Sequence, residues 1–177
     1  MSGPASGDVA LPIILGRWTA QRQEDVLPLL WSAYDGKSIT LRQGKTGSDL
    51  IIPVEDDLRA ILGAAAMTRT AAVICTTAGG TAWKVDHFRH RFAEVRAELG
   101  LPDDVHYLGL RHTRLTELAQ GRASERELQA TDGHKTTQAL GRYTKHVQQE
   151  QLAKAAVIRL CKHSRNEKAS SGLGEVV

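Results

Sequence analysis

Tyr143 stands nine positions after His134, which stands 23 after Arg111, and Arg22 and Lys45 upstream are themselves 23 apart. The set combines a phenolic oxygen with a cluster of cations, the pairing that chemistry at a phosphodiester requires. A tyrosine oxygen can become bonded to phosphorus, but an ordinary phenol, with a pKa of about 10, is a poor nucleophile at neutral pH. Positive groups must favour the phenolate and the transition state. The elements of the chain must therefore bring these five side chains together.

Composition permits this. The 177 residues suffice for one domain with a proper core and are too few for two full ones. A formal charge of +3 suits a polyanionic partner without identifying one. Cys75 and Cys161 lie 86 positions apart, with no Cys/His cluster around them, which argues against a zinc site or a disulfide framework and for a reducing cytoplasm. No apolar run approaches the roughly 20 residues that cross a bilayer, so no membrane partner is expected. Residues 1–9 and 164–177 are polar or Gly/Ser-rich and are expected to be flexible, which leaves 10–163 as the domain.

Periodicity predicts helices over 11–18 and 22–31, the second bent by Pro28. Residues 38–54 alternate apolar and polar types around a GKTGSD turn, a β-hairpin with Lys45 at its tip. A helix is predicted over 56–67 and a buried strand over 71–76. A helix over 84–99 carries Phe88, Phe92, Val95 and Leu99 on one face, and four shorter helices follow over 108–120, 124–131, 136–143 and 149–161. Ser124 and Glu127 have capping-box spacing. Trp31, Phe88 and Phe92 read as core. The fold class is α+β, mainly helical, with a small antiparallel sheet.

The strings TAQRQEDVLPLLW, KTGSDLIIPV, LGLRHTRLTELAQG and GHKTTQALGRYTKH resemble, in order and spacing, the catalytic boxes of the tyrosine recombinase (phage integrase) family. The resemblance runs from about residue 11 to about 160, the family's whole catalytic domain. It implies that Arg22 and Arg111 bind the scissile phosphate, Lys45 protonates the departing 5′-oxygen, and Tyr143 forms a 3′-phosphotyrosine link. His134 would hydrogen-bond a phosphate oxygen or help to position the nucleophile. Asp25 matches an acidic position that supports the first arginine. The types make physical sense: a guanidinium fork binds two phosphate oxygens and does not lose its proton. Charge building on the non-bridging oxygens is what such preorganised cations stabilise. The implied activity is site-specific cleavage and rejoining of double-stranded DNA without metal, nucleotide or other cofactor, as in prophages and mobile elements. The segment 149–161 resembles a C-terminal helix that docks on a neighbouring protomer, and it could equally pack in cis.

Taken singly, each residue has a plainer reading: Arg22 with Asp25 as a surface ion pair, Lys45 as a solvated loop charge, Tyr143 as half core and half wet. The sequence also departs from the family. Leu108 stands where His or Lys is usual, three positions before Arg111, and His106 could substitute only if the preceding loop shifts. Ala20 replaces a common glycine, and Asp132 an apolar residue or threonine. The N-terminal lobe that clamps DNA in the family is not represented. The expectation therefore carries two alternatives: an impaired integrase remnant that only binds DNA, and a DNA-relaxing enzyme of the type IB topoisomerase kind.

Overall fold

The computed structural model describes residues 7–134, 136 and 140–171. In chain order these form α1 (Gly7–Thr19), α2 (Gln23–Val26), a 3-10 turn (Trp31–Ala33), β1 (Ser38–Arg42), β2 (Asp49–Pro53), α3 (Asp56–Met67), α4 (Val85–Glu98), α5 (Tyr107–Gln120), α6 (Glu125–Asp132) and α7 (Gly141–Ser171). The mainly helical class with a two-stranded antiparallel sheet is as expected.

The hairpin shows how the sequence sets its register. Ile39 lies opposite Ile52 and Leu41 opposite Leu50, and all four are buried while their neighbours along each strand face outward. A slip of one residue would turn this whole set to solvent, so burial fixes the pairing. The turn closes through hydrogen bonds from the Gln43 amide to the Ser48 carbonyl and from the Gly47 amide to the Gln43 carbonyl, both 2.9 Å. This leaves Lys45 exposed at the tip.

Two apolar cores are joined by α5. Leu15, Val26, Leu27, Ile39, Leu58, Leu62 and Phe88 fill the larger one, and Ala20, Leu115, Ala119, Leu128, Leu140 and Tyr143 the smaller. Full burial of a Leu, Ile or Phe side chain contributes roughly 1.5–3 kcal/mol, so this many place α5 firmly. Its Tyr107 belongs to the first core and its Leu115 to the second. Phe88 is core as expected, with the rings of Trp83 and Tyr107 meeting it at 5.6 and 5.5 Å in edge-on geometry. Trp31 packs against the same core, half-buried. Burial pushes the Tyr107 phenol well above its ordinary range and the Cys75 thiol up to about 12, so both are structural groups.

Several expectations change. Residues 22–31 are not one helix: α2 is a single turn, and Pro28 is followed by the 3-10 turn. Residues 71–76 form no strand; Val73 bridges Leu30 and Thr76 bridges Ala82 as isolated pairs, so the buried run has only local partners. Helix α1 begins at Gly7, with Val9 buried, because an apolar residue that reaches the core overrides a polar context. Beyond residue 140, two expected helices are one, and α7 continues through Ser171. Residues 1–6, 135, 137–139 and 172–177 lie outside the described residues, and so do the expectations for them.

Helices α1 and α5 meet at Gly16. A Cβ there would sit 2.2 Å from the Tyr107 hydroxyl, which donates a 2.8 Å hydrogen bond to the Pro12 carbonyl and so cannot swing away. Glycine to alanine inside a helix normally stabilises by about 1 kcal/mol. Gly16→Ala should instead destabilise by about 1–3 kcal/mol through overpacking, read as a lower urea midpoint at unchanged m.

Candidate active site

Helix α5 carries the second arginine into the protein. Arg111 is 3% exposed. Its Nη1 donates to the Ala20 carbonyl at 2.8 Å, and its Nη2 donates to the Asp132 carbonyl at 3.0 Å. Ala20 is also fully buried and has a left-handed φ of 57°. That conformation costs an L-residue about 1–2 kcal/mol and accounts for the glycine common at this place in the family. The strained turn aims a carbonyl at Arg111 and delivers Arg22 two residues later.

The Asp132 carboxylate, itself fully buried, sits between a guanidinium and an imidazole: Oδ1 against Arg111 Nη2 and Oδ2 against His134 Nδ1. These are charge contacts, since neither oxygen receives a well-directed hydrogen bond. His134 Nδ1 also lies 3.4 Å from Arg111 Nη2. That nitrogen can donate to Asp132 or accept from Arg111, not both, and the closer carboxylate selects the protonated nitrogen. Local structure places the pair. The Ser124–Glu127 capping box starts α6 as expected, and Gly133, at φ 75°, ends it and turns His134 toward α5. Hydrogen bonds from the Ser124 hydroxyl and amide hold the Glu127 carboxyl below its ordinary range.

A buried amide network ties the hairpin to this centre. Gln43 Nε2 donates to Gln21 Oε1 at 2.5 Å and to the Asp132 carbonyl at 2.8 Å, while Gln21 Nε2 donates to the Thr19 and Thr131 carbonyls, both at 2.9 Å. Ser48 donates to the Gly133 carbonyl at 3.1 Å. Gly133 admits no side chain, because a Cβ would stand 2.5 Å from Gln43 Oε1. Asp25 supplies the second tie: its Oδ1 accepts the Gly44 amide at 2.8 Å. The Asp25 amide donates to the Arg22 carbonyl at 3.0 Å, while among the described residues no side-chain ion pair or hydrogen bond joins the two. Asp25 thereby holds the hairpin beside Lys45, which lines a shallow cleft with Glu24 and Asp25.

Arg22, at the start of α2, is half-buried, and its Nη1 is shielded from solvent without a hydrogen-bond partner. A buried cationic donor left unmatched is expensive and is best explained by an anionic partner. Arg22 lines a cleft of about 410 Å³ with Arg89, Arg96, Phe92, His106 and Leu108. Leu108 is 48% exposed there, so its alkyl group meets the cleft where a donor is usual. His106 caps the start of α5 and lines the same cleft, so the offset between the two positions does not carry it to another face.

Tyr143, in the first turn of α7, is buried in the smaller core, and its hydroxyl is hydrogen-bonded to His112 Nδ1. The two rings are inclined at 33° with centroids 5.7 Å apart. Successive helix residues diverge by about 100°, which lets α5 send Arg111 toward Asp132 and His112 toward Tyr143.

The structure thus joins Arg111 directly to His134 and links Tyr143 to them through His112 on the same helix. Arg22 and Lys45 approach from the segment around α2. Sequence reasoning missed His112, Gln21 and Gln43, and read Asp132 only as a departure from pattern. The available signal was adjacency: each is within two positions of a candidate.

Removing the Asp132 carboxylate leaves Arg111 buried without a counterion. Asp132→Ala should destabilise the fold by about 3–5 kcal/mol, measured by urea denaturation at neutral pH.

The family model described as phage integrase family matches residues 9–150. Among solved structures, the chain is similar to the crystal structure of XerA recombinase, with a TM-score of 0.70, 19% identity, and coverage of 85% of this chain and 59% of that one. It is also similar to a lambda integrase dimer bound to a COC' core site, with a TM-score of 0.65, 21% identity and coverage of 78% and 42%. A third is XerH site-specific recombinase bound to palindromic difH substrate, with a TM-score of 0.67, 17% identity and coverage of 90% and 48%. The chain therefore spans about half the length of these proteins. No curated protein sequence matches it.

Proposed function

The chain belongs to the phage integrase family, and on that premise we propose that it cleaves and rejoins double-stranded DNA site-specifically through a covalent 3′-phosphotyrosine at Tyr143. One observation carries this reading: α5 holds Arg111 against His134 and, one residue on, places His112 on the Tyr143 hydroxyl. A phosphate-binding cation and a tyrosine oxygen are thereby fixed on adjacent sectors of one helix.

In this reading Arg22 and Arg111 bind the non-bridging oxygens, and the unmatched Nη1 of Arg22 gains its partner when DNA arrives. The Tyr143 oxygen attacks phosphorus as the bond to the 5′-oxygen breaks, and Lys45 gives that oxygen its proton. His134, oriented by Asp132, hydrogen-bonds the phosphate. His106 is the donor nearest to the role that Leu108 cannot perform. Asp25 acts by holding the loop that carries Lys45. The similar lambda integrase is bound to a core site and XerH recombinase to a palindromic substrate, which supports a DNA partner for this chain. The second half of α7 exposes Leu152, Val157, Ile158 and Leu160, an apolar set suited to docking on a neighbouring protomer on DNA. A cytoplasmic enzyme of a prophage or similar mobile element fits this activity.

Leu108 favours a second reading, a remnant that binds DNA without cleaving it. The two are separated by incubating the protein at low ionic strength with a pool of nicked duplexes of randomised core sequence. Low salt strengthens the phosphate contacts that a single lobe relies on. A covalent adduct on a denaturing gel is expected, abolished by Tyr143→Phe and reduced at least 10²-fold by Arg111→Ala. Salt-sensitive binding without any adduct would establish the remnant reading instead.

A further inference from the structure

We propose that His112 is the general base that takes the Tyr143 proton during DNA cleavage and returns it on rejoining, a role resting on the recombinase reading above. The carrying observation is the hydrogen bond between His112 Nδ1 and the Tyr143 hydroxyl, supported by the face-to-face tilt of the two rings. An ordinary phenol and an ordinary imidazole differ by about 3.5 pK units. Full transfer before attack is therefore unfavourable, and the proton moves as the bond to phosphorus forms and the phenolic oxygen loses electron density.

The surroundings suit a proton held between these two groups. The pocket wall is apolar, made by Ala20, Leu115, Ala119, Leu128 and Leu140. Among the described residues, charged groups come from different elements: Arg111 precedes His112 on α5, and Arg22 follows Ala20 in the loop after α1. Lys145 is exposed two positions beyond Tyr143 on α7, and Glu125 of α6 accepts the Thr144 hydroxyl at 3.1 Å. Leu108 contributes no proton-transfer group, whereas the His112 imidazole is already bonded to the phenol. The balance is closed. The Tyr143 oxygen–phosphorus bond forms, its proton goes to His112 Nδ1, the bond to the 5′-oxygen breaks, and that oxygen takes a proton from Lys45. Rejoining runs the same transfers backwards and restores the phenol, neutral His112 and charged Lys45.

Two measurements test the assignment. In the DNA-free protein, the ring nitrogen signals of 15N-labelled His112 should change between wild type and Tyr143→Phe; identical titration curves would show that the hydrogen bond is absent and overturn the proposal. In single-turnover reactions with nicked duplexes selected by adduct formation, His112→Ala and His112→Gln should slow adduct formation about 10²–10⁴-fold, and added imidazole should partly restore the alanine variant. A folding defect would not respond to imidazole. Replacing the 5′-oxygen by sulfur, which leaves without a proton, should rescue Lys45→Ala and not His112→Ala. Wild-type rates in both His112 variants, or rescue of His112→Ala by the sulfur leaving group, would overturn the base role while leaving the recombinase reading intact. Absence of adduct from the wild-type protein sinks that reading, and the base role with it.

Discussion

A guanidinium cannot be buried alone. Arg111 lies almost wholly inside the protein, and the Asp132 carboxylate is the counterion that makes this position tenable. The same carboxylate also faces His134, so one buried negative charge orients a guanidinium and an imidazole. Much else follows from the need to satisfy this centre. Ala20 accepts a left-handed backbone to offer Arg111 its carbonyl, Gly133 turns the chain after α6 so that His134 can face Asp132, and Gln43 reaches across from the hairpin to the Asp132 backbone.

Charge neutralisation of this kind produces rigidity where a phosphate-binding group needs it. Arg111 is held by two backbone carbonyls and a carboxylate, and its orientation is thus set before any ligand arrives. Arg22 is the contrasting case: it lines a cleft with a shielded donor that no group among the described residues matches. Lys45 differs again, exposed on a hairpin whose base is fixed by the amide network and whose tip is tied by Asp25. The three cations thus range from fully organised to awaiting a partner, a gradation consistent with a site completed by a polyanion.

Elements with strong local signals were legible in the sequence. The 56–67 helix, the hairpin and the capped helix after Ser124 appear where periodicity and capping chemistry place them. The failures have a common cause. At 71–76 an apolar run looked like a strand, but a strand needs a partner along its length, and only isolated bridges are available. At both ends, polar composition suggested loose chain. A single buried contact at Val9 anchors the first helix, and α7 extends unbroken past the expected boundary. The hydrogen bond from the Gly44 amide to Asp25 joins two different elements, and no local pattern around Asp25 encodes it.

By itself, the sequence determined the kinds of chemistry present and their order: two arginines, a lysine in a turn, a histidine and a tyrosine, on elements whose types could be read from spacing. Local pattern suffices for this, because helix faces, turns and caps depend on residues a few positions apart. Only the tertiary structure decided who touches whom. It placed Asp132 between Arg111 and His134, set the Asp25 carboxylate on the Gly44 amide, and set His112 on the Tyr143 hydroxyl, 31 positions away. These pairings arise from the packing of α5 against α1, α6 and α7. A buried charge or phenol takes the partner that packing brings within reach, and no spacing along the chain encodes that partner.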